Sequence, residues 1–276
     1  MSSRFFIHQI FYDEATRTQI HPDFIPLDNT RSPSPDWFEF WPILNFLNSQ
    51  KLDQKGWYGF LSPKFVQKVG YSPQFVKDFV EACGEDVDAA LFSPGWDQIC
   101  FFKNPWEQGE VWHPSLTEES QRFFDEVGWD LTLSDVVSDM SCTVFSNYIV
   151  ARPSFWAQWQ VLANQFSDYA GSFFESGLGT KKTSYGSGSH LYPMKTFIQE
   201  RFATAILSRG QLRTVFCDPS STAPIFSRLF SDNSDTRRAL QCCDLLKRIY
   251  RSTLDPVFLD SYTKIRRSIS YSPPEF

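Results

Sequence analysis

The sequence predicts an α/β fold in which helices cover a mostly parallel β-sheet. Segments of strand composition alternate with segments of helical spacing from the N-terminus to about residue 170, which is the order that βαβ units produce. The chain has 276 residues, of which 42% are hydrophobic and 21% charged. This length and composition are typical of a soluble globular protein with one sizeable core.

Apolar runs predict the strands, which we expect over 4–12 (RFFIHQIFY), 56–65 (GWYGFLSPKF), 84–94 (GEDVDAALFSP), 142–151 (CTVFSNYIVA) and 212–217 (LRTVFC). In the fourth run, Asn147 shares an alternating face with Phe145 and Ile149. If that face packs into the core, an unpaired amide there costs about 1–3 kcal/mol. Asn147 therefore needs either a structural partner or a function.

Helical spacing and capping residues predict helices over 37–47, 72–83, 115–128, 153–170 and 192–210. Ser72 is an N-cap followed by Pro73, and Ser115 or Thr117 precedes an acidic pair as in a capping box. Between these helices, 95–114 (GWDQICFFKNPWEQGEVWHP) reads as a long irregular segment. The Gly- and Ser-rich stretch 175–190 is either a lid or a surface loop.

The sequence lacks the motifs of several common chemistries. It contains no P-loop, no dinucleotide-binding G-x-G-x-x-G and no G-x-S-x-G elbow. Six cysteines without C-x-x-C spacing indicate a reduced, cytoplasmic compartment and disfavour a zinc site. The net charge of −6 disfavours nucleic acid as the main partner.

The C-terminal part is expected to be a helical extension, 217–276, packed on a domain formed by 1–216. Its stretch 237–267 holds eight Lys or Arg against three Asp or Glu. Such basic helices either contact an anionic membrane surface or present a solvated face.

Aromatic residues make up 17% of the chain, and several Trp stand among polar residues and prolines. Aromatic rings that stand among polar groups suit the C–H faces of sugars, whereas loop packing is the alternative explanation. On the helix 192–210, Arg201 falls within the apolar arc and Glu200 on its flank. These two residues form either a structural ion pair or the edge of a pocket.

Five segments follow the first strand in a fixed order, and with it they span about 4–216: DWFEFWPILNFL, WYGFLSPKF, WEQGEVWHP, SNYIVARPSFW and FIQERF. In this order they resemble bacterial sugar transferases of a GT-A-like type from capsule, exopolysaccharide and lipopolysaccharide gene clusters. The chain departs from the pattern at Ser62-Pro63-Lys64, where relatives carry Tyr-Arg-Arg. A lysine can still meet a diphosphate, although without the bidentate fork of arginine.

The resemblance implies a glycosyltransferase that moves a sugar from a nucleotide-sugar donor to a saccharide or lipid-linked acceptor. Because open α/β sheets bind ligands at the carboxyl ends of their strands, the donor residues are expected at strand ends. The nucleotide is assigned to His8, Gln9, Asp28 and Asn29, and the diphosphate to Lys64.

On the acceptor side, the expected residues are Trp106, His113, Asn147 and Arg201. Glu107 or Glu200 would be the base if the enzyme inverts the anomeric centre, which the sequence leaves undecided. Asp86 and Asp88 form a D-x-D that could hold Mg²⁺ or Mn²⁺, but the pair precedes a strand and otherwise reads as turn chemistry. A divalent cation is therefore a possible cofactor only.

Two other functions remain open from the sequence. A non-catalytic carbohydrate-binding or assembly protein could retain the same scaffold, and the altered turn at Lys64 favours it. A glycoside hydrolase would need two carboxylates across one cleft.

Overall fold

The computed structural model of the chain describes residues 4–172, 182–184 and 191–273. The strands are β1 (Arg4–Phe11), β2 (Ile25–Asp28), β3 (Gly56–Leu61), β4 (Ala89–Leu91), β5 (Ile149–Ala151), β6 (Lys182–Ser184), β7 (Leu191–Pro193) and β8 (Thr214–Phe216). The helices are α1 (Glu14–Arg17), a 3₁₀ helix (Pro35–Trp37), α2 (Phe40–Ser49), α3 (Phe65–Val69), α4 (Pro73–Glu81), α5 (Trp96–Phe101), α6 (Pro105–Glu110), α7 (Leu116–Glu126), α8 (Pro153–Ser172), α9 (Met194–Gln199), α10 (Phe202–Ser208), α11 (Ser234–Thr253) and α12 (Pro256–Ser268).

Six strands form one mixed sheet in the order β2-β1-β3-β5-β4-β8. β1 pairs in parallel with β2 and β3, whereas β5 is antiparallel to both of its neighbours, β3 and β4. β8 is parallel to β4. The prediction of an α/β fold with a mostly parallel sheet is therefore confirmed. One edge of the sheet gathers the carboxyl ends of β1, β2 and β3 and the amino end of β5.

The central strand β3 is buried along its whole length, because helices cover both faces of the sheet. Tyr58 and Phe60 point into a core formed with α2 and α8, where the indole Nε1 of Trp156 donates a 3.0 Å hydrogen bond to the carbonyl of Tyr58. Trp57 and Leu61 point to the other face, which α3 and α4 cover. The alternation of β3 thus anchors two helical layers.

Three local predictions differ from the structure. The segment 95–114 is not irregular but forms α5 and α6, and the Asn104 side chain caps α6 by accepting hydrogen bonds from the backbone of Trp106 and Glu107. The predicted helix 192–210 is interrupted between α9 and α10. The capping box at Ser115 is absent, since Ser115 has a positive φ of 74° and makes no side-chain cap.

The predicted strand 142–151 is also shorter than expected. Only Ile149–Ala151 pairs in the sheet, and Ser146 and Asn147 precede it with left-handed φ angles of 58° and 55°. The side chain of Asn147 therefore does not alternate with Ile149, and the face inferred from the sequence is wrong at that position.

The C-terminal helices pack on α5 through buried polar contacts. The ammonium of Lys247 donates to the carbonyls of Ile99, Phe102 and Ser138 at 2.5–2.7 Å, and the side chain is fully buried. The Tyr262 hydroxyl donates to the Phe101 carbonyl at 2.7 Å. Within the described residues, no helix is long and apolar enough to cross a membrane.

Replacing Lys247 by Met is expected to destabilise the protein by about 2–4 kcal/mol, because three buried carbonyls lose their donor and each unpaired group costs about 1–3 kcal/mol, partly offset by removal of a buried charge. Urea unfolding measures the change in the free energy of unfolding. The matched control is Lys264→Met on α12, where the side chain is exposed. Equal stability of the two variants would contradict this role for Lys247.

Candidate functional site

A pocket of about 830 Å³ opens at the edge of the sheet where β1, β2 and β3 end and β5 begins. Its walls include the residues that directly follow these strands, namely Tyr12 after β1, Asn29 after β2 and Ser62 to Lys64 after β3. Ser146 and Asn147, just ahead of β5, also line it. This is the edge at which open α/β sheets bind ligands.

Two lysines give one wall of the pocket a positive charge. Lys64 stands at the start of α3 and Lys68 in its last turn, so that the four-residue spacing puts both on one side of the helix. Neither ammonium forms a salt bridge with a described residue, and that of Lys68 donates to the Ser146 hydroxyl at 3.2 Å. These charges are available to an anionic ligand.

Gln9 fixes the turn that carries Lys64. Its buried side chain donates to the carbonyls of Ser62 and Pro63 at 3.3 and 3.1 Å and accepts from the backbone of His21 at 2.9 Å. The Ser62 hydroxyl is also 2.7 Å from the hydroxyl of Tyr148. Gln9, assigned to the nucleotide from the sequence, is not among the lining residues and instead holds the Ser62–Lys64 turn in place from beneath.

The acidic wall consists of Glu39 and Glu200. Glu200 lies at the break between α9 and α10 and is mostly buried. Burial raises its pKa from about 4.5 to about 7, and the negative charge of Glu39 adds to the rise, while Arg201 and Lys68 oppose it. A carboxyl group with this pKa is suited to take up a proton near neutral pH.

Tyr12 contributes a buried hydroxyl beside Glu39. Burial raises its pKa well above the usual value, and the charge of Glu39 raises it further. Tyr12 is therefore a neutral phenol that can donate a hydrogen bond at physiological pH.

The backbone around the pocket is strained. Phe38, Ser146 and Asn147 all line it and all have a positive φ, between 46° and 58°. Residues other than glycine rarely adopt a positive φ, and backbone strain of this kind clusters at functional sites. Phe38 also packs against Tyr192, with ring centroids 5.6 Å apart, and the two rings form an aromatic wall.

Three buried polar atoms at the pocket lack a hydrogen-bond partner among the described residues. They are the hydroxyl oxygen of Tyr12, Oδ1 of Asn147, a residue that is 7% exposed, and Oγ1 of Thr196, which is 6% exposed. Leaving such an atom unpaired costs about 1–3 kcal/mol. A ligand that donates hydrogen bonds would recover this energy.

The remaining donor-side candidates lie outside the pocket. His8 is buried between the rings of Phe46 and Phe60, and burial lowers its pKa to about 4. Both of its ring nitrogens lack partners among the described residues. Asp28 is exposed and accepts a hydrogen bond from the backbone of Thr30 at 2.8 Å, which is turn chemistry.

Glu107 and Trp106 also lie away from the pocket, on α6. The Glu107 carboxylate accepts from the backbone of Lys103 at 2.6 Å and pairs with Arg266 at 2.7 Å. Trp106 is fully buried, so that no face of its ring is open to a saccharide. Glu107 therefore joins α6 to α12, and it does not line the pocket in which a catalytic base would have to act.

Arg201 and His113 form part of the core below the pocket. Arg201 is buried and donates to the carbonyls of Pro105 and Phe197 at 2.9 and 2.5 Å. His113 stacks on the ring of Phe197, and burial together with the charge of Arg201 lowers its pKa to about 3. Both residues hold helices together, and of the four acceptor-side candidates only Asn147 lines the pocket.

The D-x-D pair lies at the amino end of β4, on the opposite edge of the sheet from the pocket. Asp86 forms a salt bridge with Arg213, and Asp88 accepts from the Ser154 hydroxyl at 2.8 Å and from the backbone of Arg213 at 2.9 Å. The part of the chain that the structure describes contains no group of three or more His, Cys, Asp or Glu placed to hold a metal.

The pocket also contains residues that the sequence did not single out. Lys68 could have been found from its four-residue spacing after Lys64, and Tyr12 from its place at the end of the first strand. No sequence pattern pointed to Glu39 or Thr196, because Glu39 directly precedes α2, Thr196 lies on α9, and neither directly follows a strand. The stretch 175–190, interpreted from the sequence as either a lid or a surface loop, lies outside the described residues except for Lys182–Ser184, which pairs with β7.

Comparison of the chain with models of protein families, with curated proteins and with solved structures finds no match.

Replacing Glu200 by Gln is expected to stabilise the protein at about pH 8 but not at about pH 4, because the folded state binds the Glu200 proton more tightly than the unfolded state does. The free energy of unfolding of the wild type should fall as the pH rises from about 4.5 to about 7. The Glu200→Gln variant should not show this fall, because glutamine does not ionise. Melting temperatures at the two pH values test it, with the exposed Glu81→Gln as control. An equal effect of Glu200→Gln at both pH values would contradict the raised pKa.

Proposed function

We propose that this protein is a glycosyltransferase that moves a sugar from a nucleotide-sugar donor to an acceptor hydroxyl. One observation carries the proposal: a single pocket at the carboxyl edge of the parallel strands is lined by Lys64, Lys68 and Glu200. Two cations and a carboxyl group of pKa about 7 suit transfer from a diphosphate, because the cations stabilise the leaving group and the carboxylate can take up a proton.

The lysines suit the diphosphate of the donor. When the bond between the anomeric carbon and the diphosphate oxygen breaks, the electron pair leaves with the nucleoside diphosphate, and negative charge develops on that oxygen. Lys64 and Lys68 would stabilise this charge because neither ammonium group forms a salt bridge with a described residue. The aromatic wall of Phe38 and Tyr192 offers a surface for a base or a sugar ring.

Glu200 suits the acceptor. As its carboxylate takes the proton of the acceptor hydroxyl, the hydroxyl oxygen forms its bond to the anomeric carbon while the diphosphate departs. This direct displacement inverts the anomeric centre, so that the proposal includes inversion. The charge of Lys68 contributes at the same place, since it acts on Glu200 as well as on the phosphates.

The biological setting rests on the resemblance alone. A bacterial surface polysaccharide pathway, with a saccharide or lipid-linked acceptor, is the corresponding proposal for the substrate. Contact of the basic C-terminal helices with a membrane has less support, because Arg248, Arg251 and Arg266 form salt bridges within the protein.

Glu200→Gln is expected to lower sugar transfer by about 10²–10⁴-fold, because the variant lacks the base that accepts the hydroxyl proton. Release of the nucleoside diphosphate from the preferred donor measures the rate. The wild-type rate should rise with pH through about 7 as Glu200 ionises, and the variant should lose this dependence.

The matched control for this experiment is Glu107→Gln. It breaks the ion pair with Arg266 and so should lower stability while the rate per folded molecule stays near that of the wild type. Full activity of Glu200→Gln, or an equal loss in both variants, would refute Glu200 as the base.

Lys64→Ala and Lys68→Ala are each expected to weaken the binding of a nucleoside diphosphate by about tenfold to a hundredfold, because a charge-assisted hydrogen bond to phosphate is lost. Calorimetry with UDP and GDP measures the dissociation constants. Lys51→Ala, an exposed lysine outside the pocket, is the control and should leave them unchanged. Unchanged affinity in both pocket variants would contradict the phosphate site, and binding of saccharide without nucleotide would favour the non-catalytic alternative.

A further inference from the structure

The wall of the pocket around Glu200 presents hydrogen-bond acceptors. The carboxylate of Glu39, the ionised form of Glu200 and the Oδ1 atom of Asn147 can only accept, and the Thr196 hydroxyl can accept as well as donate. Oδ1 of Asn147 and Oγ1 of Thr196 are buried and lack partners among the described residues. A ligand that completes this wall must therefore supply donors.

The positive charge of the pocket comes from one helix, α3, and the charge of Lys68 also acts on Glu200. Among the described residues that line it, the cationic side chains are Lys64 and Lys68, both on the α3 side, and these are the groups that suit the diphosphate. The neighbouring Arg201 is committed to the carbonyls of Pro105 and Phe197 below the pocket. A carboxylate on the ligand would consequently face the negative charge of Glu39 and, above the Glu200 pKa of about 7, a second negative charge.

Acidic sugars need a different site. A uronic or sialic acid is usually held by a guanidinium fork that matches its carboxylate. Sugar hydroxyls, by contrast, donate to the amide and carboxylate oxygens that Glu39, Asn147 and Glu200 provide. Like charges brought together in a desolvated site cost several kcal/mol.

We infer that the wall formed by Glu39, Asn147, Thr196 and Glu200 binds a sugar that carries hydroxyl groups and no carboxylate. This inference rests on the proposed function, and it deepens that function by naming the class of sugar in the donor. The hydroxyls donate to Asn147 and the acidic side chains, while Thr196 accepts from or donates to a neighbouring hydroxyl. Selection against acidic sugars comes from repulsion as well as from lost hydrogen bonds.

The experiment compares nucleotide sugars that differ only in the charge of the sugar. Calorimetry on the full chain gives the dissociation constants of UDP-glucose and UDP-glucuronate, of GDP-mannose and GDP-mannuronate, and of free UDP and GDP. For the nucleotide that binds, the uncharged sugar should bind at least about tenfold more tightly than its uronate.

Two variants separate the causes. Glu39→Gln should reduce the ratio of the uronate's dissociation constant to that of the uncharged sugar by several-fold, because one repelling charge is removed. The exposed Glu81→Gln should leave this ratio unchanged. Asn147→Ala should weaken the nucleotide sugar about tenfold and leave the free nucleoside diphosphate unchanged, because only the sugar contacts the amide.

The outcomes distinguish the inference from the proposed function. If UDP or GDP binds but the uronate binds as tightly as the uncharged sugar, the inference is overturned and the glycosyltransferase proposal stands. If neither nucleotide binds, the proposed function fails and the inference fails with it. Should a variant not fold, the comparison of the two sugars on the wild-type chain decides alone.

Discussion

The parallel pairing of β1 with β2 and β3 is the constraint on which the site depends. It brings three strand ends to one edge of the sheet, and the antiparallel insertion of β5 brings Ser146 and Asn147 to the same edge. The register holds because β3 is buried on both faces, so that a shift by one residue would exchange its two sets of core side chains. The packing of two helical layers thus fixes where the pocket can form.

Buried polar side chains in this protein fall into two groups with different consequences. In the first group, the side chains of Gln9, Arg201 and Lys247 donate hydrogen bonds to backbone carbonyls of distant segments and hold those segments in place. Asn147 and Thr196 retain unpaired oxygens at the pocket. Folding alone would favour apolar residues at these two positions. The free energy lost by leaving these oxygens unpaired is recovered if a ligand donates hydrogen bonds to them. The strained backbone at Asn147 also indicates a ligand-binding role.

The sequence predicted the parts of this structure that local patterns encode. Alternation of strands and helices gave the α/β class, the predicted strand 56–65 led to Lys64, and the family resemblance led to Asn29, although the strand before Asn29 was not predicted. It did not show that α9 ends at Gln199, just before Glu200, because the apolar spacing continues through the break. From the sequence, Glu107 and Arg201 were candidates for the site, because the residues that they pair with lie far away along the chain. Contacts of this kind require the tertiary structure.

The central claim is that the carboxyl edge of the sheet binds the diphosphate of a nucleotide-sugar donor. A crystal structure with UDP or GDP bound tests this claim most directly. The account predicts phosphate oxygens within hydrogen-bond distance of the ammonium groups of Lys64 and Lys68, with the terminal phosphate directed towards Glu200. A nucleotide bound at another face, or phosphates that leave both lysines uncontacted, would contradict it.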